Sequence, residues 1–144
     1  MMKKKNDLTM VKGVFWALVG VFLLILSQLF VPVITEFLKG PQFLLPHFIF
    51  FLLGLVLTFL TLKEGIKGRL KKFLLLTGAS ASGFFVFAVL HNVFYALEII
   101  FQPITPLKFL MGFLHVCFFF LAIPVCPIGF LVGAVGSGVL LLKK

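Results

Sequence analysis

Acidic side chains are almost missing from this chain. Asp7, Glu36, Glu64 and Glu98 are the only four in 144 residues, and no aspartate follows Asp7. Aspartate-based phosphotransfer and an aspartic-protease dyad are thereby excluded, because both need paired carboxylates at one site. Cysteine is nearly as scarce. Cys117 and Cys126 are the two present; nine residues apart on one helix, they face opposite ways about 13 Å apart along the axis. That is beyond the reach of a disulfide, and no Cys-x-x-Cys pair or cysteine metal knuckle exists. Both are expected to be small apolar packing residues. The chain also lacks a Gly-x-Ser-x-Gly elbow and a His-Glu-x-x-His helix. Gly133–Gly138 has glycine spacing faintly like a phosphate loop, but no strand precedes it and no Lys-Ser/Thr pair closes it, so it reads as helix packing.

Charge as a whole is thin, at 12% of residues, about half of the ~25% that soluble domains carry. What fills the chain is apolar: 62% hydrophobic, 21 phenylalanines and a mean hydropathy of +1.25. This composition defines an integral membrane protein. The formal charge of +9 does not indicate a nucleic-acid partner, because nearly all the Lys and Arg flank apolar runs, where they orient spans in a bilayer. The N-terminal apolar run continues from Gly13 to Val31 without a small-residue cleavage site, so it reads as a retained span rather than a signal peptide.

Four spans are expected, at 11–38, 43–62, 73–101 and 107–142, forming one transmembrane domain, an all-α antiparallel bundle. In the first, Gly13, Ala17 and Gly20 offer a strip for close helix approach, and Trp16 suits an interfacial belt. Pro32 should kink this span, since it has no N–H for the carbonyl of Gln28. Pro46 suits the first turn of the second span. The polar stretch Lys63–Lys72, with its glycines, reads as a loop. The third span is the organising one. Thr77, Ala81, Phe84, Ala88, His91, Tyr95 and Glu98 share one helical stripe, whereas the opposite face is apolar, as expected of a helix whose polar groups turn into a bundle. Gly78, Ser82 and Gly83, together with Gly129 and Gly133 on the fourth span, are the expected close-packing positions. The final run is too long for a straight crossing, about 54 Å as helix. Because its small and polar residues keep heptad phase across Pro124 and Pro127, it reads as one helix kinked there rather than as a hairpin that would give five spans.

Four spans put eleven basic residues on one side and leave only Lys39 and Lys108 on the other. The positive-inside rule then predicts a multi-pass cell-membrane protein with both termini cytoplasmic. Ionisable side chains within spans are the candidates for a ligand or proton site: His91, His115, His47, Tyr95, Glu98, Asn92 and Glu36. His91 and His115 are equally distant from Pro103, so an antiparallel pair would hold them at one depth, with His47 expected above them. Three imidazoles would suit a metal held by His91, His115 and His47, and imidazole beside carboxylate and phenol could instead carry protons. A bis-histidine haem is disfavoured, because spans three and four are immediate neighbours. No cofactor can be named.

The primary expectation is a non-enzymatic bundle serving as a membrane-complex subunit or permease component, partnered by the lipid bilayer, by itself or by another membrane protein. The alternative is a metal-, proton- or small-ligand-binding protein built on the outer His/Glu/Tyr cluster. Four spans with a membrane carboxylate also describe small multidrug-resistance transporters, but Glu36 lies at a span end and the charge asymmetry fixes one orientation. Vitamin K epoxide reductase-like proteins need paired cysteines that are missing here. The chain is assigned to neither family.

Overall fold

The computed structural model describes residues 2–37 and 40–143. Leu38 and Lys39, where the first span was expected to end, lie outside the described residues, as does Lys144. The elements are α1 (Met2–Phe30), α2 (Pro32–Phe37), a 3-10 turn (Gly40–Phe43), α3 (Leu44–Lys63), α4 (Gly68–Ile100), α5 (Thr105–Phe120), a π turn (Leu121–Val125) and α6 (Cys126–Leu142). Among the described residues four helical stretches are long and apolar enough to cross a membrane: Leu8–Gln28, Leu44–Lys63, Gly68–Ile100 and Thr105–Leu142. Continuous helix is the form such sequences must take in lipid, because it satisfies every backbone polar group within the segment. The protein is an all-α, multi-pass antiparallel bundle.

Two boundaries differ from the sequence expectation. The first span does not merely kink. Val31 still donates its N–H to the carbonyl of Ser27 at 2.8 Å, but α1 stops at Phe30 and α2 starts afresh at Pro32. Proline supplies no N–H to continue the ladder and is well suited to begin a helix. Conversely, the polar stretch 63–72 is mostly helix. The link shrinks to Glu64–Lys67, closed by Glu64 N–H on Leu60 O at 2.9 Å and by positive φ at Gly65 (+62°) and Gly68 (+73°). Leu70, 4% exposed, anchors the first turn of α4 in the core, and that burial overrides the polar composition around it.

α4 is the hub. α3 packs along one flank and the fourth span along another, while α1 lies chiefly on α3. Between α4 and the fourth span the contacts advance in step: Gly83 beside Cys126, Ser80 beside Gly129, Thr77 beside Gly133, Phe73 beside Gly136. Register therefore holds through the π turn, where Cys126 N–H bonds Leu121 O five residues back. Pro124 accounts for the wider turn, because its ring displaces the carbonyl four residues earlier. The fourth span is one bent helix, and α6 does not fold back on α5.

At the end of the bundle carrying the Glu64–Lys67 link, the core is Val11, Phe15, Leu18, Leu57, Leu60, Leu70, Leu74 and Leu141, with Phe50, Ala81 and Phe130 deeper in. Backbones, not side chains, meet beside it. A Cβ on Gly54 would lie 2.8 Å from both Gly78 O and Ser82 N, and one on Gly133 would lie 2.7 Å from Thr77 N. A Cβ on Gly129 would lie 2.5 Å from Ser80 Oγ, whereas one on Gly83 would be looser, 3.3 Å from Cys126 Sγ. The hydroxyls at these seams are turned onto their own helices: Thr58 on Gly54 O (2.9 Å), Thr77 on Phe73 O (2.8 Å), Ser82 on Gly78 O (2.9 Å). Each is satisfied before the neighbouring helix arrives. By contrast, a Cβ on Gly13 or Gly20 would meet nothing within 4 Å, so at these two positions the expected strip on α1 meets no helix among the described residues.

Gly54→Leu and Gly133→Leu should each cost about 1–3 kcal/mol of bundle stability, the usual penalty of overpacking. Gly20→Ala should be neutral or stabilising by up to ~1 kcal/mol, since alanine is the better helix former. Thermal unfolding and size-exclusion in mild detergent test the contrast. Equal melting of all three variants would mean that α3, α4 and α6 are not in close contact.

Candidate functional site

Two sites emerge, a polar cluster near the Pro103 turn and an apolar cavity deeper in the bundle. The cluster exists because α4 and α5 are joined by the short link Phe101–Ile104, tied by Phe101 N–H to Leu97 O and Ile104 N–H to Phe101 O, both at 2.9 Å. So tight a reversal makes the two helices antiparallel neighbours and brings His91 level with His115. The imidazole centroids are 5.4 Å apart at 63°. His91 donates its Nδ1–H to the backbone carbonyl of His115 at 2.9 Å, which makes Nε2 the unprotonated nitrogen of the neutral ring. His115 Nδ1 stands 2.7 Å from Glu98 Oε2, with the two side chains 19% and 25% exposed. Its distance is that of an ion pair, but its angle is not that of a straight hydrogen bond. Tyr95 packs edge-on to His115 at 5.5 Å and remains 51% exposed.

Gly112 makes the cluster possible. A Cβ there would fall 3.1 Å from Glu98 Oε1, so glycine opens the space into which the carboxylate folds. Phe119 closes the other side of His91 at 5.4 Å. Neither was among the expected site residues. The signal for Gly112 was its place on the same stripe as His115, one turn away and facing the tip of α4.

The remaining expected residues lie elsewhere. His47 was expected above the other two histidines; instead its ring stacks on Phe84 at 6.0 Å, seven residues before His91 and so about 10 Å nearer the start of α4. α3 begins lower on α4 than the equal-depth argument assumed, because the 3-10 turn takes up the chain before Leu44. Asn92 points away from the cluster, donating Nδ2–H to Ala88 O at 2.8 Å. Glu36 is exposed on α2, the short helix that follows α1 directly. Among the described residues no three His, Cys, Asp or Glu side chains gather as a metal site, so the expected triad of His91, His115 and His47 is not assembled. Cys117 and Cys126 are free, the latter buried.

The cavity was not foreseen. About 320 Å³ in volume, it is walled by all four spans, including Ile25 of α1, Phe50 of α3, Phe84 of α4 and Cys126 of α6. Beside it, an open groove runs between the start of α3 and the C-terminal half of α4, past Phe85, Val89, Asn92 and Ala96. Phe43, His47 and Phe84 line both spaces. Compared with known proteins, the chain matches no family model, no curated protein and no solved structure.

Chemically, the cluster is an interhelical clamp whose members engage one another. A double-mutant cycle of His115→Ala and Glu98→Ala should give a coupling energy of about 0.6–2 kcal/mol, the range for polar interhelical contacts in membranes. Gly112→Ala should weaken the same coupling by displacing the carboxylate. Additive losses in the cycle would show that the 2.7 Å contact contributes nothing.

Proposed function

We propose that the protein is a non-enzymatic membrane bundle acting as a subunit of a membrane complex or a component of a small permease, held in the cell membrane with both termini cytoplasmic. The supporting observation is α5. Its sixteen residues are almost wholly apolar, yet none is buried within the chain, and Phe109, Phe113 and Phe120 are 79%, 61% and 58% exposed. Lipid alone can cover such a face. A second membrane protein, or a second copy, gains more, because aromatic side chains bury large areas at helix interfaces. His91 bonds the His115 carbonyl and His115 stands against Glu98, contacts between α4 and α5 that suit a rigid presenting arm better than a reaction site. The assignment of the termini rests on the eleven basic residues of one side.

The proximity of His115 and Glu98 favours a second reading, in which protonation of the cluster modulates the arm. Transfer of a proton to His115 turns a polar contact into an ion pair in a half-buried setting, where such a pair is screened less than at a free surface. Metal binding is no part of this reading.

A photo-crosslinking amino acid at Phe113 should capture a protein partner in native membranes, whereas one at Val56 on α3 should yield chiefly lipid adducts. Identical lipid-only adducts at both positions would contradict the subunit reading. A single cysteine at the C-terminus, in a chain lacking Cys117 and Cys126, should resist a membrane-impermeant maleimide applied from outside. Efficient labelling there would reverse the assigned orientation.

A further inference from the structure

The cavity between the spans has a polarity gradient that neither the clamp nor the exposed α5 face explains. Its floor is three phenyl rings in mutual contact, Phe22 on Phe130 (4.4 Å), Phe50 on Phe130 (5.0 Å) and Phe22 on Phe50 (5.9 Å). Its opposite end carries the Gln28 amide and the His47 imidazole. His47 lies in the first turn of the second crossing helix, which begins at Leu44, and Phe50 lies about a turn further in. The gradient thus runs the way a lipid molecule does, polar at the membrane face and apolar inward.

We infer that this cavity binds one neutral, single-chain amphiphile with a hydroxyl-bearing head, drawn from the bilayer and held with its head at His47 and its tail on the phenylalanine floor. A volume of about 320 Å³ lies at the lower end of the ~300–1,000 Å³ of small-molecule pockets, which are typically apolar with a few placed polar groups. The head group is specified by a tautomer. His47 Nδ1 lies 3.0 Å from the carbonyl oxygen of Phe43, so it must carry the proton that it donates. Nε2 of the neutral ring is then a lone-pair acceptor, suited to a ligand O–H and not to a carbonyl-only head.

Two features of the walls agree. The π turn borders the cavity through Ile123, and the first residues of α6 border it through Cys126 and Pro127. Departures from regular helix within a membrane are tolerated where the backbone is buried in protein or lines a cavity, and π turns recur at functional sites. The second feature is a route. Because His47 and Phe84 line both the cavity and the open groove of α3 and α4, movement of these stacked rings would admit a lipid-dissolved molecule laterally, without passage through water.

The test uses the full chain in lipid nanodiscs, with a diazirine-bearing fatty alcohol and its methyl ether as probes. Photolysis should attach the alcohol to peptides containing Phe22, Phe43 or Phe84, and an excess of unlabelled alcohol should displace it. Leu26→Trp, which fills the cavity from α1, should lower that attachment about tenfold. His47→Leu should lower attachment of the alcohol about two- to tenfold, as loss of one neutral hydrogen bond does, and leave the methyl ether unchanged. Attachment spread evenly over the lipid-facing surface, or an alcohol signal that excess alcohol does not displace, would overturn the site even if Leu26→Trp failed to fold. Equal loss of both probes in His47→Leu would overturn the assignment of the head group.

Discussion

Everything in this bundle depends on how closely two backbones approach α4. On one side the glycine at 54 brings α3 against Gly78, and on the other the glycine at 133 brings α6 against Thr77, in each case leaving no space for a Cβ. In lipid there is no hydrophobic force to drive helices together, so close van der Waals contact between small residues must supply the association. The threonine and serine hydroxyls at these seams accept that closeness because each already donates to its own helix. The two contacts lie at almost the same level of α4, so they act as a single fulcrum from which the helices emerge.

Beyond the fulcrum the side chains change from small to large, and the spans part. Phe84, Phe85 and Phe87 follow Gly83 on α4, and aromatic rings of this size hold neighbouring backbones apart. The cavity opens at this transition. So does the groove toward Asn92, because α3 starts alongside the middle of α4 and leaves the groove past its C-terminal third open. Among the described residues only α5 continues with α4 to the Pro103 turn, and there polar groups and rings make the contact, with Gly112 leaving the Glu98 carboxylate its space. Tight seam, cavity and clamp are thus successive consequences of one sequence of side-chain sizes along α4.

Much of this could be read from residue order alone. The stripe from Thr77 to Glu98 located the helix on which the others pack, and phase kept across Pro124 and Pro127 identified one bent helix. A π turn, not a simple proline kink, carries that bend; hydrogen bonding five residues back leaves no periodic trace over so short a stretch. The equal spacing of His91 and His115 from Pro103 placed their rings together because a short reversal fixes depth on both sides. No such reversal fixes His47, and its expected place above the other two did not hold. Its depth depends on the path from α1 to α3, and a helix break at Val31 with a 3-10 turn before Leu44 shifts it by about two turns. The cavity was illegible for a different reason. Its walls come from four spans, and no single helix records a space that exists only between them.

The account requires one register of the fourth span on α4, held through the π turn. Native Cys126 offers a direct reading of it, because its sulfur lies 3.3 Å from where a Cβ at Gly83 would stand, close to the ~3 Å that separates one sulfur from the partner Cβ across a disulfide. In Gly83→Cys, mild oxidation in membranes should join the introduced thiol to Cys126 nearly completely, whereas Ala79→Cys, on an exposed face of α4, should form no such bridge. Joining to Cys117 instead, or no bridge within the chain, would contradict the register and with it the cavity and the placement of the clamp.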